Sequence, residues 1–289
     1  MLNKLVFLCT FFTISLITGF SQNSISLSEI WALDSLLATP ESVVYDPLRA
    51  CLYVSNFNDK GGFRSGEDTL FDEYITKIDL DGNILDAKWV DRLIGPTGIT
   101  IHEDILYVVE RGYVTRIDIG EQKIIERIPV KGTGFLNDVE VDGNGDIYLS
   151  DSRSNGTIYR VRDGKSEVWL QDTILRNCNG LYLDDGDLIA GNPGAANLVA
   201  IRIRDKNIRK LVSGLSHGID GIKKYGDNYL LSWRFEIITV DKQGNVFALL
   251  DTEETNDWNA DFELISDLKL LIVPTLLSNK LKAYRIEDE

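Results

Sequence analysis

Four oxygen-bearing side chains recur along the chain at nearly even steps: Glu41, Asn137, Asn179 and Asp220. Each is the second residue of a segment that opens with a turn and continues as an alternating strand. The segments are Pro40-Glu41-Ser42-Val43-Val44-Tyr45-Asp46, Leu136-Asn137-Asp138-Val139-Glu140-Val141-Asp142, Cys178-Asn179-Gly180-Leu181-Tyr182-Leu183-Asp184 and Ile219-Asp220-Gly221-Ile222. Pro96-Thr97-Gly98-Ile99 belongs to the same series, and Asn259-Ala260-Asp261-Phe262 is its weakest copy. The marks fall at 41, 97, 137, 179, 220 and 260, separated by 56, 40, 42, 41 and 40 residues. If equivalent positions meet on one axis, two carboxylates and two amide oxygens collect there. Such a ring must be solvated, mutually bonded or bound to a cation. Oxygen donors suit a hard divalent ion, Ca²⁺ more easily than Mg²⁺ because it accepts irregular geometry, whereas zinc prefers His or Cys.

The elements that would position this ring follow the same period. About a dozen residues after each mark comes a second apolar strand, such as Leu52-Tyr53-Val54, Ile147-Tyr148-Leu149 and Leu230-Leu231. A third follows, as in Thr157-Ile158-Tyr159-Arg160-Val161 and Ile237-Ile238-Thr239-Val240, and Asp or Gly then turns the chain into a short fourth. Four antiparallel strands in about forty residues predict a propeller blade, and six units predict an all-β, six-bladed β-propeller. No stretch keeps apolar residues at helical spacing over several turns, so no long helix is expected. The last unit ends soon after its third strand, while Glu29 to Ser35, with Ile30, Trp31 and Leu33, is an unclaimed apolar segment. It is expected to supply the outer strand of the sixth blade and close the ring, covering edges that would invite association. The first spacing is longer by about sixteen residues, at Phe57 to Asp72, a Gly-rich charged stretch that reads either as a solvated loop or as a lid over one mouth of the channel.

Composition excludes several classes. A net charge of −15 repels phosphate backbones and anionic lipid, so no nucleic-acid partner is expected. Lys4 followed by the apolar run Leu5 to Phe20, with Gly19 and Ser21 at its end, predicts a signal peptide over 1–21 and a single domain over 22–289, secreted or periplasmic. That run is too short to span a bilayer, Leu268 to Leu277 is broken by Pro274, and Cys9 sits inside the run, so neither membrane insertion nor lipidation is expected. Cys51 and Cys178 fall in blades one and four, opposite each other in a six-fold ring, which predicts two free thiols. No phosphate-cradling loop is present.

On Glu41, Leu136-Asn137-Asp138-Val139 with Asp142-Gly143, Asn179-Gly180-Leu181 and Asp220-Gly221-Ile222, in that order and period, the chain resembles the senescence-marker-protein/gluconolactonase/luciferin-regenerating-enzyme family of six-bladed propellers. The resemblance covers essentially the whole chain after the leader. It implies that Glu41, Asn179 and Asp220 bind a divalent cation, with Asp220 also assisting water attack, and that Asn137 contacts substrate or a metal-bound water. The activity implied is hydrolysis of a lactone or related ester. Where some of the family's sugar lactonases carry an arginine two residues before the third-blade asparagine, this chain has Phe135, which implies a less hydroxylated substrate or none.

Other residues admit two readings. His217, three residues before Asp220, is a proton shuttle to a leaving group or the cap of a loop. Trp233 and Arg234 follow the second strand of blade five and either contact substrate or form a packed indole with a solvated guanidinium. His102, in a turn beside Glu103 and Asp104, is read as structural, and Cys178 as a small buried thiol. The chain is therefore expected to act as a monomer on a small-molecule substrate, as a metal-dependent lactonase or esterase. The alternative is a propeller that binds a small molecule or protein without turnover, its cation only holding blades together.

Overall fold

The computed structural model describes residues 25–57, 72–215 and 218–288. The expected export signal and most of the long first loop lie outside them. The chain begins with β1 (Ile25–Leu33) and then lays down blade after blade. The first is β2 (Pro40–Asp46), β3 (Cys51–Asn56), β4 (Glu73–Asp79) and β5 (Ile84–Leu93). The second is β6 (Ile99–His102), β7 (Ile105–Glu110), β8 (Tyr113–Asp118) and β9 (Lys123–Pro129); the third is β10 (Leu136–Val141), β11 (Ile147–Asp151), β12 (Thr157–Arg162) and β13 (Lys165–Gln171). The fourth is β14 (Leu181–Asp184), β15 (Asp187–Asn192), β16 (Asn197–Arg202) and β17 (Ile208–Ser213), and the fifth is β18 (Ile219–Tyr225), β19 (Asn228–Trp233), β20 (Glu236–Val240) and β21 (Val246–Asp251). β22 (Glu263–Ile265), β23 (Leu270–Thr275) and β24 (Lys280–Asp288) form the sixth with β1, in the order β1-β24-β23-β22. All six sheets are four-stranded and antiparallel, as the repeat predicts.

The first strands of successive blades touch in chain order, and β22 returns to β2, which closes a six-bladed propeller. At the seam the Asp261 amide donates to the Glu41 carbonyl at 3.0 Å. The core is divided among the blade interfaces. Tyr53, Ile75 and Trp89 of blade one pack on Leu106, Val108 and Ile117 of blade two, and Leu230 and Ile237 of blade five on Phe262, Leu271 and Val273 of blade six. Sheets covered on both faces need apolar side chains in both directions, which is why β3 and β11 are buried at every position. At roughly 25 cal/mol per Å² of apolar surface removed from water, these interfaces are the main stabilising contribution.

The turns follow from side-chain chemistry. Asp79, Asp142 and Asp241 each direct Oδ1 at two backbone amides further along: Asp81 and Asn83, Asn144 and Asp146, Gln243 and Asn245. These aspartates thus replace strand hydrogen bonds where the chain reverses. The closing strand is clasped by Trp31, whose Nε1 donates to the Leu80 carbonyl at 2.9 Å while its ring lies on Gly82. A β-carbon at Gly82 would come within 2.9 Å of that ring, and φ there is +86°, so only glycine serves. Cys51 and Cys178 are buried and free, as the blade assignment requires.

Candidate functional site

In strands, side chains alternate between faces, so residues three apart should point apart. Here the ladders of blades one, three and five slip register between Pro40 and Val43, Leu136 and Val139, and Ile219 and Ile222. Such a slip inserts an unpaired residue and re-aims the side chains around it. The amide it frees is satisfied each time by a buried serine on the neighbouring strand: Ser42 N donates to Ser55 Oγ at 3.0 Å, Asp138 N to Ser150 Oγ at 2.9 Å and Gly221 N to Ser232 Oγ at 2.6 Å. In blade four the chain uses glycine instead. The Gly180 carbonyl accepts from Gly191 N at 2.9 Å, and a β-carbon at Gly180 would lie 1.9 Å from the Asp220 carbonyl oxygen, so a side chain would force blades four and five apart.

This construction brings Glu41, Asn137, Asn179 and Asp220, from four blades, to one cavity of about 390 Å³. All but Asn179 are buried, Glu41 to 2% exposure. Asn179 Nδ2 donates to Asp220 Oδ1 at 3.0 Å, which fixes the amide so that its oxygen is the free end. Asn179 Oδ1 and Glu41 Oε2 are buried without a hydrogen-bond partner among the described residues. A buried oxygen left so costs about 1–3 kcal/mol unless something binds it. The other two marks do not line the cavity: Thr97 donates its hydroxyl to the Leu136 carbonyl at 3.5 Å, and Ala260 is buried. Ser152 and Arg153 complete the polar lining, and Phe135, Trp258, Leu276 and Leu277 form apolar walls.

Electrostatics sets the site apart. Burial, then the charges of Asp220, Asp261 and Asp138, hold the Glu41 carboxyl well above its ordinary pKa. Burial and Asp261 push Asp220 up to about 7 against the opposing hydrogen bond from Asn179. Acids crowded in this way take a proton or a cation. Among the described residues no group of three or more His, Cys, Asp and Glu is placed to hold a metal, so a cation here would need the Asn179 amide oxygen beside the two carboxylates.

Two residues beneath this layer were not assigned roles from the sequence. Asp138 accepts from Leu181 N at 2.6 Å, tying blade three to blade four, and Asp261 accepts from Ser42 Oγ at 2.6 Å, tying blade six to blade one. Burial raises Asp261 to about 6, with Lys223 and Ser42 opposing. Both directly follow a register mark, and an acid at that position in blades three and six was the available signal. His217 lies outside the described residues. His102 lines a separate surface cleft between blades two and three. Trp233 packs partly buried between blades four and five, and the Arg234 guanidinium lies 5.1 Å from the Trp258 ring centroid; neither lines the cavity, and Arg234 meets it only through Trp258.

No family model and no curated protein sequence matches the chain. Among solved structures it is similar to a gluconolactonase from Xanthomonas campestris, at a TM-score of 0.68 and 17% identity over 87% of each chain. A putative gluconolactonase superposes at 0.68 and 14% identity over 92% of this chain and 93% of its own. Virginiamycin B lyase from Staphylococcus aureus superposes at 0.61 and 12% identity over 91% of this chain and 99% of its own. At these identities what is shared is the architecture, which agrees with the resemblance drawn from the motifs: the chain has the six-bladed propeller fold of gluconolactonases and of a streptogramin-type lyase.

Proposed function

We propose that this protein is an exported, divalent-cation-dependent hydrolase of a lactone or related ester. The observation that carries the reading is the meeting of Glu41, Asn137, Asn179 and Asp220 in one cavity, with Glu41 Oε2 and Asn179 Oδ1 buried and unpartnered. Those two oxygens and the Asp220 carboxylate fit a hard cation, Ca²⁺ above others because every donor is oxygen and the set is irregular. A bound ion of this kind polarises a carbonyl oxygen and lowers the pKa of water. The fold shared with gluconolactonases supports the same reaction class.

The chain's own contributions follow from its geometry. Asn179 holds Asp220 Oδ1, so the second Asp220 oxygen is the one directed to accept a proton from the attacking water. Burial beside Asp261 places the titration of Asp220 near neutrality in the metal-free protein, and a cation held beside it would favour the carboxylate form that can accept a proton. Asn137, on the blade next to that of Asn179, offers an amide to orient the ester. The Lys4 and Leu5–Phe20 pattern supports export.

The test is hydrolysis of a panel of lactones and esters by pH-stat, in Ca²⁺ and in EDTA. Turnover in Ca²⁺ that disappears in EDTA is expected. Turnover equal in both would overturn the metal requirement, and Ca²⁺-dependent stabilisation without turnover of any ester would favour a binding propeller with a structural ion.

A further inference from the structure

Although Asn137, Ser152 and Arg153 join Glu41, Asn179 and Asp220 in the lining, most of the surface the cavity exposes is apolar, with Phe135, Trp258, Leu276 and Leu277 as its walls. These walls are built. The Phe135 amide donates to Asp151 Oδ1 at 2.9 Å, its ring has Arg153 at 4.9 Å and Phe57 at 6.2 Å, and Trp258 is braced by Phe235 at 6.2 Å and Arg234 at 5.1 Å. The Leu276 amide donates to the Trp258 carbonyl at 2.9 Å, which locks the leucine turn to the indole. Leu277 is 53% exposed and lines the mouth, an apolar side chain in a position where burial in the free protein does not account for it.

A hydroxylated ring placed against such walls would lose water from its hydroxyls without gaining hydrogen bonds from them, a loss of roughly fivefold or more for each one buried. An alkyl or aryl group placed there gains about 0.8 kcal/mol per methylene. About 390 Å³ lies at the small end of the roughly 300–1,000 Å³ typical of small-molecule sites, so the ligand is a single small ring with a chain of limited length. We infer that the substrate is a lactone or ester with an apolar substituent, its carbonyl at the Glu41–Asn179–Asp220 end and its alkyl or aryl body on Phe135, Trp258, Leu276 and Leu277. This inference rests on the hydrolase reading and adds the substrate class.

The experiment measures kcat/KM in Ca²⁺ for γ-lactones carrying linear alkyl groups from methyl to octyl, with D-glucono-δ-lactone alongside. Expected is a rise of about threefold to fourfold per methylene that levels off once the chain outgrows the cavity, with the sugar lactone poorer than the longer-chain members. Trp258→Ala, and independently Leu277→Ser at the exposed mouth, should flatten the series. A flat wild-type series, or a sugar lactone preferred to all alkyl lactones, would overturn the inference while leaving the hydrolase reading intact. Should no lactone turn over, 3-alkylcyclopentanones, the non-hydrolysable ketone isosteres, decide it by titration calorimetry. Affinity rising with chain length and lost in both variants would uphold the apolar site and reject hydrolysis; no binding would reject both.

Discussion

Two layers of one channel, three residues apart along the inner strands, differ in what faces their crowded acids. In the layer of Glu41 and Asp220 the principal charges acting on Glu41 are all carboxylates, and both groups are pushed toward their protonated forms. In the layer that holds Glu140 and Glu263, the chain supplies Lys223. Burial pulls the Lys223 pKa down, but Glu263, Asp261, Glu140 and Asp138 together outweigh it and raise it above its ordinary value. Burial raises Glu140 to about 7 in spite of Lys223. One layer thus carries its cation covalently. The other leaves Glu41 Oε2 and Asn179 Oδ1 without a partner among the described residues, which is where the proposed ion would sit.

Substitutions in the two layers should diverge. Asp220→Asn should lower kcat/KM on the best lactone by at least about a hundredfold, the scale of a lost general base, while leaving the metal-free protein at pH 8 no less stable than wild type. Equal activity would remove Asp220 from the chemistry. Ca²⁺ at about a hundred times its dissociation constant should stabilise the wild type by about 2.7 kcal/mol, read as a rise in melting temperature, and should do little for Glu41→Gln combined with Asp220→Asn. An unchanged melting temperature for the wild type would place no cation at this layer.

In EDTA, stability should fall as pH rises. The folded-state pKa values, about 7 for Asp220 and about 6 for Asp261, lie above those of the unfolded chain, so the folded protein keeps protons that the unfolded chain has released. The associated stability is complete below about pH 4 and is lost as pH climbs through 6 and 7. Melting curves between pH 4 and 8 check it; a flat profile would mean that the acids are relieved in some other way. Lys223→Met should cost about 1–3 kcal/mol, below the value for a fully buried pair because Lys223 is partly exposed, and Ca²⁺ should not restore it. A stabilised Lys223→Met variant would show that the second layer does not depend on its lysine.

The blades, their order and the ring closed by the N-terminal segment were legible because a forty-residue period with four apolar strands per unit leaves little alternative. Glu41, Asn137, Asn179 and Asp220 could be found by aligning repeats, since each sits at the same offset. The carboxylates one residue further on, Asp138 and Asp261, left only the weak signal of an acid after two of the six marks, and Lys223 three residues on left none. Strand alternation assigns residues three apart to opposite faces, and the register slips that bring both into the channel leave no mark in residue type. Ser55, Ser150 and Ser232, which receive the freed amides, look like ordinary strand serines until their partners are known. The apolar walls were half legible. Phe135 and Trp258 each stand two residues before a register mark, Asn137 and Ala260, but Leu277 enters from the turn after β23, where no motif points to the cavity.

The clasp between β1 and β24 also sets a timetable for synthesis. Ile25 pairs with Asp288 and Leu33 with Leu281, so the strand made first finds its partner only when almost everything else has been made. At ~5–20 residues per second, the interval is roughly 10–50 s, during which β1 and the growing edge of the sheet stand without neighbours. A growing chain of this kind leaves β1 open to mispairing until the nine-residue β24 reaches it and ends the exposure.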